Sequence, residues 1–335
     1  MSLRRGNRFL VFGVVALMLC ALVLSSGAER TLAQGGLVPA ELVLGMIPSR
    51  EPAVLLPDLE PFSQLLLQAL QARGFAIQSA KAFVPESETA TVAALGTGEI
   101  HVGFMGPLSA IQAEQESGAK VVTVTVRNGV LLYRGQLMAN VNAGYANFED
   151  VIKAVQAGKN VTMSYTSTSS TSGFLFPCAK LASFGILPGN FPNFKTIVAG
   201  GHTGSALSTF RGDTQIGWGF DDVRQSLVGR EAETGLDATL APFDIYKQIN
   251  TLMPIIGYSD WIPNDPQVVA GDLDPALQTA IAEELVNISE TEAGKTILDS
   301  LLDGTAFEQV ESSSLDAVRQ VVAEIRPNLA LCENQ

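Results

Sequence analysis

The chain reads as an α/β protein organised around a mainly parallel sheet. Two observations carry this expectation. Short apolar strand candidates alternate with helical stretches along the whole length, and Gly and Pro punctuate the connections between them. The strand candidates are 42–46, 76–79, 102–105, 121–126, 136–141, 161–164 and 215–218. The first helix, 58–73, places Phe62, Leu65, Leu66, Ala69 and Leu70 on one face. The last helix begins after Ser312, Ser313 and Ser314, buries Leu315, Val318, Val322 and Ile325, and stops at Pro327. No internal repeat or linker divides the sequence. Two lobes would therefore require the chain to pass from one to the other and return.

The N-terminus carries Arg4, Arg5 and Arg8, an apolar run from Phe9 to Leu24, and Thr31-Leu32-Ala33 as a cleavage site before Gln34. This is the pattern of a secretory signal peptide, 1–33. The apolar run is shorter than a comfortable membrane span, although an uncleaved anchor is the alternative. Leu19 before Cys20 is too large for the usual lipid-attachment box, so lipidation is not expected. The protein is expected outside the cytoplasm, periplasmic or otherwise exported. The full chain carries 21 basic and 34 acidic residues, a formal charge of −13. Removal of 1–33 takes away four arginines and one glutamate and leaves a net −16. Such a surface repels nucleic acid and anionic lipid. Cys178 and Cys332 remain after cleavage, either paired in an oxidising compartment or present as two buried thiols.

The segment Tyr165-Thr166-Ser167-Thr168-Ser169-Ser170-Thr171-Ser172-Gly173-Phe174 follows a strand and leads into a helix. Hydroxyls and unpaired amides converge there at the positive end of a helix dipole, a seat suited to a tetrahedral oxyanion. An ordinary N-cap is the plainer alternative. Four other segments lie where strands end: Ile47-Pro48-Ser49-Arg50, Met105-Gly106-Pro107-Leu108-Ser109, Gly200-Gly201-His202-Thr203, and Trp261-Ile262-Pro263-Asn264-Asp265-Pro266. In open α/β sheets ligands bind beyond the carboxyl ends of the strands, so these segments share one expected cleft.

Gly106-Pro107-Leu108-Ser109-Ala110, Ser170-Thr171-Ser172-Gly173-Phe174, the Gly201-His202 turn, Phe220-Asp221-Asp222-Val223 and Ile262-Pro263-Asn264-Asp265-Pro266 occur in this order over residues 40–327. In this the chain resembles the phosphonate/phosphite-binding proteins of bacterial ABC importers, a branch of the type II periplasmic binding proteins. The resemblance implies a two-lobed α/β fold with two crossover segments and a ligand cleft between the lobes. Lobe 1 is expected from 37–137 plus 252–335 and lobe 2 from 138–251, with crossings near 137–141 and 253–258. It implies that Ser170, Thr171 and Ser172 hold the anion's oxygens, and that His202 faces the same oxygens while neutral. Asp222 and Asp265 would face the other end of the ligand and read its protonation state. Relatives carry aromatic residues where this chain has Ser87-Glu88-Thr89 and Met105, so Glu88 and Met105 reshape the pocket. Ser49 is expected on the same wall. The implied partners are a small anionic ligand and the permease and ATPase subunits of the importer, with the binding protein a monomer.

Ser, His and Asp in one cleft raise the alternative of a hydrolase acting on small phosphate or phosphonate esters. No Gly-x-Ser-x-Gly elbow is present, and the serines lie in a hydroxyl cluster. Two histidines, His101 and His202, and no Cys cluster argue against a metal centre. The absence of a Walker loop fits a receptor whose energy comes from a separate ATPase, and no cofactor is expected. A binding protein for an unrelated small solute is the other alternative.

Overall fold

The computed structural model describes residues 35–333; the expected signal segment 1–33, with Cys20, lies outside the described residues. The first half of the fold alternates strand and helix. β1 (Glu41–Met46) leads into α1 (Pro52–Ala72), β2 (Ser79–Phe83) into α2 (Glu88–Thr97), and β3 (Val102–Phe104) into α3 (Pro107–Ser117). β4 (Lys120–Val126) then gives way to the long β5 (Leu132–Ala139). Next come α4 (Phe148–Gln156), β6 (Val161–Tyr165), and a π-helical turn Thr171–Leu175 that runs directly into α5 (Phe176–Ser183). They are followed by β7 (Phe194–Val198), α6 (His202–Arg211), β8 (Ile216–Gly219), α7 (Pro242–Leu252) and β9 (Ile255–Pro263). The return adds β10 (Pro266–Val269), α8 (Pro275–Glu290), α9 (Glu292–Leu302), β11 (Ala306–Gln309) and α10 (Asp316–Ile325).

The strands form two sheets, in the orders β11-β4-β10-β3-β1-β2 and β7-β6-β8-β5-β9. Pairs made within a strand–helix–strand run, β1–β2, β1–β3, β6–β7 and β6–β8, are parallel. Pairs that involve β10, β11 or β5 are antiparallel. The sequence predicts mainly parallel sheets because it shows the local crossovers; it does not show a strand that returns from the other half and inserts between β3 and β4. The candidate 76–79 ends where β2 begins, and β7, β9, β10 and β11 are not among the strand candidates. β10 and β11 each span 4 residues, too few for a period to register.

The passages between the halves also differ from expectation. β5 already belongs to the second sheet at Leu132, and β9 stays in it to Pro263, because the two pair antiparallel from Leu132↔Pro263 onward. The chain therefore leaves the first sheet between Val126 and Leu132, and returns between Pro263 and Pro266. Asn264, fully buried, ties the two passages together. Its backbone N–H donates to the Leu131 carbonyl at 2.8 Å. Its side-chain amide donates to the carbonyls of Thr125 and Val130, both at 2.9 Å.

α1 starts six residues earlier than the sequence predicts, at Pro52, where the missing proline N–H is harmless. Pro57 and Pro61 lie on its exposed side, so the carbonyls they leave unpaired meet water. Its buried face is Leu55, Leu59, Phe62, Leu66 and Leu70, while Leu65 and Ala69 are half-buried. Phe62, Phe104 and Phe307 meet at centroid distances of 5.8–6.1 Å, locking α1, β3 and β11 into one core. Past Ile325 the chain continues through Pro327 as the 3-10 segment Arg326–Leu331, rather than stopping at the proline. Arg319 of α10 pairs with Glu114 of α3, and Cys332 then forms a disulfide with Cys178 of α5. The C-terminal arm thus starts beside the first sheet and is fixed to the second half. Among the described residues no helix is long and apolar enough to cross a membrane.

The disulfide joins residues 154 apart and both cysteines are fully buried. A cross-link of that span removes much chain entropy from the unfolded state, about 2–4 kcal/mol in typical proteins. Cys178→Ala/Cys332→Ala should lower the unfolding free energy by about that amount in urea titrations. An unchanged midpoint would mean that packing alone holds the arm.

Candidate ligand-binding site

A cavity of about 400 Å³ lies between the two halves, over the carboxyl ends of β1, β3, β6 and β8. Ser49, Glu88, Met105, Ser170, Thr171, Ser172, His202, Asp222 and Asp265 all line it. The cleft thus gathers every candidate named from the sequence, from seven separate stretches of chain. It also contains residues that sequence reasoning missed: Arg50, Arg127, Tyr133, Asp221 and Asp303.

The hydroxyl cluster opens the π-helical turn, whose wide first bond runs from the Leu175 N–H to the Ser170 carbonyl at 3.0 Å. Ser170 is the N-cap, its Oγ accepting from the Gly173 N–H at 3.2 Å. Gly173 has to be glycine, because a Cβ there would sit 2.0 Å from Thr166 Oγ1. Thr171 Oγ1 accepts from the Leu108 N–H at 2.9 Å, so the α5 entry meets the first turn of α3 across the cleft. That bond uses a lone pair and leaves the Thr171 hydroxyl proton free to donate. Thr89 and Ser169 hydroxyls, 3.3 Å apart, and the Glu51–Arg230 ion pair also join the halves. The helices α1, α2, α3, α5 and α6 all start at this cleft, so their positive ends converge on it. Met105 is fully buried and its N–H donates to the Pro266 carbonyl at 3.1 Å, binding β3 to the returning strand.

His202 stands at the first residue of α6 and packs on Phe220 at 4.8 Å between ring centroids. Its Nδ1 accepts from the Phe220 N–H at 3.1 Å, so in the neutral ring the proton resides on Nε2. Nε2 lies 3.3 Å from Ser170 Oγ and presents that N–H to the hydroxyl cluster. Burial pushes the imidazole down to about 4, so it is neutral throughout the neutral range.

The acids and cations are mostly spent on one another. Arg127 Nη2 holds Asp265 Oδ2 at 2.6 Å, and its Nε donates to the Leu302 carbonyl at 2.8 Å. Arg50 donates to the carbonyls of Ser300 and Leu301 at 2.9 and 2.6 Å. Both guanidiniums therefore satisfy the unpaired carbonyls at the C-terminus of α9. Asp222 is exposed, sits in the left-handed region at φ 63°, and accepts from the Tyr246 hydroxyl. Asp221 accepts from Gln136. The expectation that Asp222 and Asp265 read the ligand's protonation thus meets two carboxylates already engaged. Glu88 has no such cation. It is 7 % exposed, its Oε2 accepts from the Ser167 hydroxyl at 2.8 Å, and burial pushes its carboxyl up to about 7. Burial likewise pushes the Tyr133 phenol well above its ordinary value. Among the described residues no group of three or more His, Cys, Asp and Glu is placed to hold a metal ion.

His202 supplies a test of this electrostatic picture. Its folded value of about 4 lies below the ordinary 6.5, so protonation favours the unfolded chain. Its contribution is complete above 6.5 and is lost as pH falls towards 4, up to about 3 kcal/mol. His202→Gln keeps one acceptor and one donor but cannot titrate, so it should flatten the acid limb of stability against pH. Urea midpoints that fall as steeply in the variant would refute the assignment.

A family model described as the periplasmic substrate-binding protein of phosphonate ABC transporters matches residues 44–315. The phosphate-import protein PhnD of Mycolicibacterium smegmatis is 28% identical over 216 residues. That match spans 62% of this chain and 63% of the relative, just under two thirds of its length. Among solved structures, the binding component of an ABC phosphonate transporter from Pseudomonas aeruginosa gives a TM-score of 0.70 at 18% identity, covering 87% of this chain and 88% of that one. PhnD1 from Prochlorococcus marinus, solved in complex with methylphosphonate, gives 0.69 at 19% identity, covering 86% and 99%. At such identities the two structures show a shared fold, that of the type II periplasmic binding proteins. The family model spans most of the chain, and the chain belongs to the family of periplasmic substrate-binding proteins of phosphonate ABC transporters.

Proposed function

We propose that this protein is the extracytoplasmic receptor of an ABC importer, holding a phosphonate, phosphite or related small oxyanion between its halves. The observation that carries the reading is the convergence of helix N-termini, hydroxyls and the His202 Nε2–H on one cavity of about 400 Å³. Such a seat stabilises an anion through oriented donors with no charged side chain committed to it. Family membership and the methylphosphonate bound by the Prochlorococcus marinus protein support the ligand class. The same reading makes 1–33 an export signal, the protein a monomer, and a permease with its ATPase the recipients of the ligand.

The chemistry of the Ser170–His202 pair favours a receptor over a hydrolase. A general base must accept the serine proton at Nε2, with a carboxylate holding Nδ1–H. Here Nδ1 accepts from a backbone amide, Nε2 therefore carries the proton, and burial holds the ring far from the basicity a base needs. Ser170 is left as a hydrogen-bonding group.

A thermal-shift and calorimetry panel of phosphate, phosphite, methylphosphonate, aminoethylphosphonate and sulfate tests the proposal. At least one phosphorus oxyanion should raise the melting temperature and bind stoichiometrically without turnover. Thr171→Ala should weaken that affinity about 10- to 100-fold while the fold survives. A panel in which no phosphorus oxyanion binds, or in which a phosphate ester is hydrolysed, would sink the reading.

A further inference from the structure

We propose that Glu88 is the specificity-determining proton carrier of the cleft, donating its carboxyl proton to a ligand oxygen so that a fully ionised oxyanion binds together with one proton. The proposal rests on the oxyanion reading of the site.

Its first support is position. Ser87 caps α2 by accepting from the Ala90 N–H at 3.0 Å, which leaves the next residue, Glu88, free of capping duty. Its side chain is buried in the cleft wall and reaches across to the Ser167 hydroxyl of the opposite half. Ser169 and Ser170 neighbour it as well, their hydroxyls partly offsetting the effect of burial on its carboxyl, and Ser170 is the residue that caps the hydroxyl cluster. Glu88 is therefore an acid standing at the anion's own seat, held there by closure of the two halves.

Its second support is what surrounds it. Asp265 faces it from the returning passage and makes a negative charge on Glu88 less favourable, while Tyr133 of β5, a neutral phenol, adds no compensating cation. Arg127, a cation that lines the same cleft, is held by Asp265, Asn264 and the Leu302 carbonyl. Arg50 is held by Ser300 and Leu301. His202 faces Ser170 as a fixed donor. Ionised Glu88 beside a dianion would place two uncompensated charges in a desolvated space, whereas neutral Glu88 offers one more donor. The carboxyl value of about 7 puts this exchange in the physiological range.

The ligand and Glu88 then titrate as a pair, with one proton between them. A monoanion arriving with its P–OH can donate to ionised Glu88, and a dianion can accept from neutral Glu88; the complex is the same. Above neutrality both free partners are ionised, so binding draws a proton from water and affinity falls about tenfold per pH unit.

The experiment is calorimetry of the intact protein with methylphosphonate near pH 8.5, in buffers of different ionisation enthalpy, which counts protons taken up. Wild type should take up close to one proton per ligand, and Glu88→Gln, a donor that cannot titrate, close to none, with affinity that no longer declines with pH. Binding without proton uptake in wild type overturns the proposal and leaves the oxyanion reading intact. Uptake that persists in Glu88→Gln overturns it too, by placing the proton elsewhere. Failure of wild type to bind any phosphorus oxyanion overturns both. Should Glu88→Gln not fold, proton uptake by wild type together with that of Glu88→Asp decides the matter, because a shorter acid should keep the uptake and lose affinity.

Discussion

The site depends on one constraint: a helix that follows a parallel strand must start over the strand's carboxyl end, with its first amides unpaired. Two sheets that face each other along those ends therefore aim several positive helix termini at the same space. Ser170, Gly201 and Gly106 stand at three of those starts, and each is small, so the backbone reaches the cavity unobstructed. An acidic protein of net charge −13 can hold an anion in this way because the field is local. Helix-terminal dipoles act within a turn, while the charges on the outer surface are screened by water and salt.

The second organising element is the join between the halves. Asn264 gives both side-chain N–H bonds to the outgoing passage and takes its backbone bond there as well. Arg127 adds the end of α9 and Asp265 to the same node. The two passages thus behave as one crossbar, with Arg127 consumed in building it and Arg50 in holding the end of α9. That division of labour leaves a cleft with two arginines in which the donors without a charged partner are hydroxyls, amides and the neutral His202.

Much of this was legible in the sequence. The nine candidates share a cleft because glycine, proline and hydroxyl clusters mark strand ends whichever strand they follow. What was not legible is pairing over distance. Arg127 and Arg50 look like ordinary surface cations until α9, about 170 to 250 residues further on, brings its carbonyls to them. The sequence places Asp265 in the cleft but does not show its ion pair with Arg127, which engages the carboxylate expected to face the ligand. The sequence assigns most of β5 and all of β9 to the first lobe, whereas both lie in the second sheet, because their mutual pairing and not their local pattern decides which sheet they join. Cys178 and Cys332 offered two outcomes, and only the fold of the C-terminal arm brings their Cα atoms to 5.7 Å.

The Glu51–Arg230 pair spans the cleft with side chains 41% and 23% exposed, and this has a bearing on measurements in different buffers. An exposed pair of this kind contributes about 0–1 kcal/mol and weakens as salt rises. Residues 132–263 carry nine basic and ten acidic side chains, a formal −1, so the two halves do not repel each other as two acidic bodies would. In a receptor whose halves part to admit ligand, rising salt would loosen this tie and favour the parted form. Affinities compared across buffers of unequal ionic strength would then include a change in this tie, and a salt series at fixed pH isolates it.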